Sequence, residues 1–299
     1  MIRFLAATAA AMMVVVGLAS PASAIANGEN AREGAYPFSV LLTMTGLPTP
    51  DHGSRDSSCS GALIAPTWVV TAGHCFRDTG GRRVSRPVAE RTTATIGRTQ
   101  VTGGRGGHVV EVVAVHQSET ADVALAELGS AVTDITPLRV ATVPPSPGET
   151  VRLTGFGLTA GQTPATRMQT GRFTIDAVGD SLIETSGIAP RDDTSPCPHD
   201  SGGPYFRSTP GGPELVAVVS AGPGCPHTGP DLSARTDNIS DWITATATAT
   251  GARSISTYLQ LALIPVALVL VAAAVWALRR RAAYRVPGAD PGSRPGLRR

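Results

Sequence analysis

Between residues 36 and 243 the chain is broken into short β-rich runs separated by Gly, Pro, Asp and Ser. Val109-Val110-Glu111-Val112-Val113-Ala114-Val115 and Leu215-Val216-Ala217-Val218-Val219 are examples. Short apolar runs punctuated at this spacing predict an all-β barrel or sandwich, and periodicity alone does not choose between the two. Gly46 to Ser58, Gly80 to Pro87, Gly103 to Gly107 and Pro144 to Gly148 read as surface loops, the last as a connection between two halves. No long internal repeat is visible.

The ends of the 299-residue chain carry other signals. Residues 1–24 read as a secretory signal: Arg3, an apolar stretch from Phe4 to Leu18, and the small-residue site Ala22-Ser23-Ala24. The competing reading, a retained amino-terminal membrane helix, fits the short core less well. Tyr258 to Leu278 is an apolar run long enough to cross a bilayer, and Arg279-Arg280-Arg281 follows it at once. Basic flanks stay cytoplasmic, so this order expects residues 25–243 outside the cell, a linker over 244–257, a single span over 258–278 and an internal tail over 279–299. A buried core helix is the alternative for the apolar run.

Charge is distributed accordingly. The tail from Arg279 holds seven Arg against one Asp, while residues 25–278 hold 17 Arg against 22 acids, so the net charge of +2 hides an acidic external region. No basic face runs through that region, which argues against nucleic acid as a partner. Four cysteines in an exported chain imply two disulfides, with three pairings open from the sequence. Their spacing matches no zinc signature, and neither a metal nor a cofactor is expected.

The chemistry is concentrated in Cys197-Pro198-His199-Asp200-Ser201-Gly202-Gly203-Pro204, where a serine sits in a glycine-rich turn beside a carboxylate. Serine is a poor nucleophile until an imidazole takes its proton and a buried acid orients that imidazole. Thr71-Ala72-Gly73-His74-Cys75 supplies the histidine, and Asp122-Val123-Ala124-Leu125 supplies the acid at the head of an apolar run. The order His74, Asp122, Ser201 separates scaffolds, because α/β-hydrolases run Ser, acid, His and subtilisin-like enzymes Asp, His, Ser.

With that order the chain resembles the trypsin/chymotrypsin-like serine protease family over roughly residues 25 to 245. Ile25-Ala26-Asn27-Gly28, Tyr36 to Val40, Cys59 to Ile64, Thr67 to Val70, Leu153-Thr154-Gly155-Phe156-Gly157, Val219 to Gly222 and Asp241-Trp242-Ile243 fit it in sequence. The resemblance implies two six-stranded antiparallel β-barrels with a C-terminal helix and a catalytic cleft between them. It also implies disulfides Cys59–Cys75 and Cys197–Cys225, an oxyanion hole from the N–H groups of His199 and Ser201, and a Ser220 hydrogen bond near Asp122. Ile25, freed by signal cleavage, would pair through its amino group with Asp200. His199 departs from the family, which has glycine there, so strain and crowding on the leaving-group side are expected.

For the substrate pocket the resemblance points to Ser195, Ser220, Gly222 and Asp231. Ser195 at the floor suggests no fixed charge and a chymotrypsin-like or small-residue preference. Asp231 is either a determinant for a basic side chain or an exposed loop acid. His52, His108, His116 and His227 read as surface or structural groups. The expected function is a membrane-anchored serine endopeptidase acting on protein or peptide substrates. The alternatives are a catalytically impaired, protease-shaped binding module and an esterase tolerant of a poor oxyanion hole.

Overall fold

The computed structural model describes residues 24–103, 106–159, 163–249, 273–276 and 279. The chain divides into two compact units, Met1–Thr244 and Ala245–Arg299. In the first, β1 (Glu29–Asn30) precedes the strands β2 (Ser39–Pro48), β3 (Ser54–Ala65), β4 (Trp68–Ala72), β5 (Arg91–Ile96), β6 (His108–Gln117) and β7 (Val123–Leu128). Strands β2 to β7 close into an antiparallel barrel in the order β2-β3-β4-β7-β6-β5.

A second set follows: β8 (Arg139–Val140), β9 (Thr150–Gly155), β10 (Gln169–Val178), β11 (Leu182–Ala189), β12 (Pro204–Thr209), β13 (Gly212–Ala221) and β14 (Asp231–Arg235). Pairing runs β9-β10-β11-β14-β13-β12, and β12 pairs back onto β9, so six strands again close a barrel. Short β1 and β8 lie on it through β10 and β13. Closure leaves neither sheet an open edge, which settles barrels over a sandwich.

Inward positions carry the apolar side chains. Val40, Leu42, Met44, Leu63, Ile96, Val110, Val112, Val115 and Leu128 fill the first barrel. In β6, Val110 and Val112 point in and Val113 points out; a bulge between Val112 and Ala114 then resets the phase so that Val115 is buried. Ile25, Val151, Leu153, Phe173, Ile175, Ile183, Tyr205 and Val216 fill the second barrel. Phe38 meets Phe206 edge-on at 5.3 Å between ring centroids, and Ser39 Oγ lies 2.8 Å from Thr154 Oγ1, so the barrels share an aromatic and polar seam.

Two sequence expectations change. Most of Gly46 to Ser58 is strand rather than loop: β2 and β3 extend to Pro48 and from Ser54, and a turn closed by Thr49 N–H to Gly53 O at 3.0 Å joins them. Exposed polar residues hid this long hairpin. The second barrel also begins before Pro144, because Arg139–Val140 already pairs with β13. A helix over 240–249 follows β14 and includes Asp241-Trp242-Ile243, as expected. Among the described residues no helix is long and apolar enough to cross a membrane; the run over 258–278 lies outside them except for 273–276, which are helical, and residues 1–23 lie outside as well.

Candidate active site

β4 ends at Ala72 and passes into a 3-10 turn, Gly73–Phe76, that carries His74 and Cys75. Cys75 is bonded to Cys59 on β3, fixing the turn to the barrel wall. Asp122 stands at the entry to β7, the neighbour of β4, and holds His74 twice. His74 N–H donates to Asp122 Oδ1 at 2.9 Å, and His74 Nδ1 lies 2.7 Å from Oδ2. Ser220 Oγ donates to the same Oδ2 at 2.7 Å. A register shift between Val219 and Ala221 leaves Ser220 out of the ladder and aims its hydroxyl at Asp122.

Burial pushes the Asp122 carboxyl up, but the hydrogen bonds from His74 and Ser220 outweigh it and hold the group below the ordinary carboxylate range. An ionised Asp122 fixes the proton on His74 Nδ1 and leaves Nε2 as the basic atom.

The turn bearing Ser201 is packed onto the same strands. Ser60 N–H donates to Ser201 O at 2.9 Å, and Cys75 Sγ lies 4.0 Å from that carbonyl. Gly202 has φ +80°, and a Cβ there would collide with Thr71 Oγ1 and stand 2.5 Å from Ser60 O. Only glycine fits, so the close approach of the serine turn to β3 and β4 is built into the sequence. The second disulfide, Cys197–Cys225, ties the turn to the segment after β13.

Asp200 is fully buried. Gly157 N–H and Cys197 N–H donate to its two carboxylate oxygens at 2.8 and 2.9 Å. Burial drives its pKa up to about 7 despite those two bonds. Ile25 is buried in the second barrel but remains joined to Ala24 by a peptide bond and so carries no amine here.

His199 has φ 75°, in the left-handed region where a side chain is strained. Its side chain offsets this by a contact that the sequence did not reveal: Nδ1 lies 2.6 Å from Ser58 Oγ on β3. Ser60 Oγ donates to His199 O at 3.2 Å and accepts from Phe156 N–H at 2.9 Å. Burial, followed by the charge of Arg55, holds the His199 imidazole below its usual pKa and favours its neutral form.

Ser201, Val219, Ser220, Gly222, Cys225 and Asp231 line a cavity of about 310 Å³. Ser195 does not line it. Its backbone pairs with Ala26 and its hydroxyl accepts the His227 N–H at 3.2 Å, so the expected pocket-floor residue is a buried support. Asp231 is 2% exposed, which removes the loop-acid reading. His227 is not a surface group either: its side chain is 10% exposed and its Nε2 lies 3.4 Å from Asp231 Oδ2. The i, i+4 spacing of His227 and Asp231 was the only sequence hint. His116 packs edge-on against Trp68, and His108 Nε2 lies 2.7 Å from Asp134, both away from this cavity.

The Trypsin family model matches residues 25–243. Chymotrypsin-like elastase family member 3B of Homo sapiens is 30% identical over 248 residues, covering 76% of this chain and 90% of the human protein. Lectizyme of Glossina austeni is 27% identical, covering 75% of this chain and 86% of that protein. Ovochymase of Halocynthia roretzi is 26% identical over 76% of this chain, which spans only 15% of that longer protein. The match over both barrels, together with the relatedness to the human protein, makes this chain a member of the trypsin family and a serine endopeptidase.

Proposed function

We propose that the chain is an exported, membrane-anchored endopeptidase in which Ser201 is the nucleophile, His74 the general base and Asp122 its orienting acid. The observation that carries this is the hydrogen-bonded set Ser220–Asp122–His74, whose Ser220 lines the same cavity as Ser201. Ser201 Oγ attacks the scissile carbonyl as its proton passes to His74 Nε2. The backbone N–H groups of His199 and Ser201 hold the oxyanion. His74 then protonates the leaving amine, and water releases the acyl group by the reverse proton route. Cleavage after Ala24 frees the Ile25 amine to pair with Asp200, whose buried carboxylate has only N–H dipoles to stabilise it. Tyr258 to Leu278 supplies the anchor, with the barrels outside.

The positive φ of His199 favours one competing reading, a protease-shaped binding module with a failed oxyanion hole. Labelling with a fluorophosphonate decides between them. Modification of the processed wild type and not of Ser201→Ala supports the endopeptidase. No labelling of folded protein whose sequence starts at Ile25 supports the binder.

A further inference from the structure

A second cavity, of about 240 Å³, opens in the first barrel between the tip of the β2–β3 hairpin and the chain after the His74 turn. Leu47, Pro48, Pro50 and Val88 give it apolar walls, and an exposed Arg55 and a half-buried Arg77 bring it two positive charges. Among the described residues neither arginine forms an ion pair, and Arg77 donates one hydrogen bond, to Gly81 O at 3.2 Å. Asp78 also lines the cavity, but its carboxylate is already taken: the N–H groups of Gly80 and Arg82 and the Arg82 guanidinium donate to it at 2.9, 2.9 and 2.8 Å. Residues 25–278 hold 17 Arg against 22 acids, so two arginines together without an anion are a local exception. Guanidinium groups placed side by side repel each other and favour a carboxylate between them, and the apolar walls suit its methylene stem.

The place of this cavity relates it to the cut. The cavity beside Ser201 is walled by residues from Pro196 to Asp231, whereas the arginine cavity is walled by residues from Leu47 to Val88. His199 links the two: it stands two residues before Ser201, its Nδ1 meets Ser58 Oγ on β3, and it feels the charge of Arg55. Arg77 follows directly on the Gly73–Phe76 turn that carries His74. His74 protonates the leaving amine in the proposed mechanism, so the part of the substrate that begins with that amine lies on this side. Arg55 is three residues along β3 from Ser58, about 10 Å in an extended strand, which an extended substrate covers in about three residues.

We infer that Arg55 and Arg77 form an acid-binding subsite, and that the enzyme selects polypeptides carrying Glu or Asp within about three residues after the cut. Glu fits better than Asp, because its longer stem spans the apolar walls before the carboxylate meets the arginines. Arg77, the better shielded of the two, contributes more than Arg55. The inference rests on the endopeptidase reading for the location of the cut; the anion site itself stands on the cavity.

The test uses the processed full chain and two readouts. A peptide cut by the wild type in a random library is remade with Glu, Ala or Lys at the second and third residues after the cut, and kcat/KM is compared at low and high salt. Blocked alanine hexapeptides with and without a central Glu-Glu pair are titrated calorimetrically into Ser201→Ala, which needs no turnover. A wild-type kcat/KM about fivefold or more higher for Glu than for Ala, lower still for Lys, and converging as salt is raised supports the proposal. A Glu-over-Ala ratio that falls to near one in Arg55→Gln/Arg77→Gln supports it too. A wild-type ratio near one, or a ratio that the double variant preserves, overturns it, and the wild-type comparison needs no variant to fold. Glu-Glu binding to Ser201→Ala that is lost with the two arginines, with no cleavage in the library by the wild type, would keep the anion site and remove the endopeptidase reading. Cleavage indifferent to Glu after the cut would do the reverse.

Discussion

His199 shows how one residue can carry both a cost and its remedy. A side chain in the left-handed region costs about 1–2 kcal/mol relative to glycine, and the Ser58 contact at 2.6 Å returns a comparable amount. Ser58→Ala therefore leaves the strain unopposed and loosens the proposed oxyanion donor: kcat should fall about tenfold with KM little changed. Adding His199→Gly to Ser58→Ala should recover most of that loss. If the two changes are simply additive in a double-mutant cycle, the compensation does not exist. Titration at Asp200 gives a second outcome. In a chain still joined to Ala24 its pKa is about 7, against an ordinary value of 3.8. The folded form binds more protons between those values, so the stabilisation present below pH 3.8 is lost as pH rises to about 7, a difference on the order of 4 kcal/mol. With the Ile25 amine free the fall should be much shallower, which denaturant titration of processed and unprocessed protein across pH 4 to 7 can measure.

At the scale of elements, β3 is the strand on which the site converges. It carries Cys59, bonded to Cys75 beside His74, and Ser58 and Ser60, which hold the side chain and the carbonyl of His199 respectively. Ser60→Ala removes a hydroxyl that links His199 O to Phe156 N–H and should cost about 1–3 kcal/mol, because it leaves a buried N–H without its acceptor. Breaking Cys197–Cys225, whose cysteines are 28 residues apart, should cost about 3 kcal/mol and broaden the cavity's specificity, since it frees the serine turn and the wall after β13 together. The sequence revealed the elements proposed to carry the chemistry, the histidine turn, the serine turn and the acid heading β7, while the two disulfide pairings came from the family resemblance and not from cysteine spacing. It did not reveal the contacts that tune them. Ser58 and His199 are 141 residues apart and linked only by side chains, so no spacing or periodicity marks the pair. Ser195 and Asp231 were visible as candidates, but which one faces the cavity depends on the orientation of a β-bridge to Ala26, and single-sequence patterns do not encode that orientation.

Across the whole molecule, the pattern of short runs was enough for an all-β fold, and the order of His, Asp and Ser supplied what periodicity could not. Bulges at Val112 and Ser220 escaped because each merely inverts an alternation that the sequence shows as an apolar run. The proposed anchor gives a test at this scale: a chain ended after Thr257 should be released into the medium with its fluorophosphonate labelling intact, while the full chain stays with the membrane fraction. Retention of both forms would remove Tyr258 to Leu278 as the anchor. The seam between the barrels has a further consequence. His74 and Asp122 come from one barrel, Ser201 and the cavity from the other, and Ser60 reaches across to the serine turn. In the proposed mechanism a molecule nicked or half-unfolded in either barrel thus loses its geometry for hydrolysis, so damaged copies fall silent instead of digesting their neighbours.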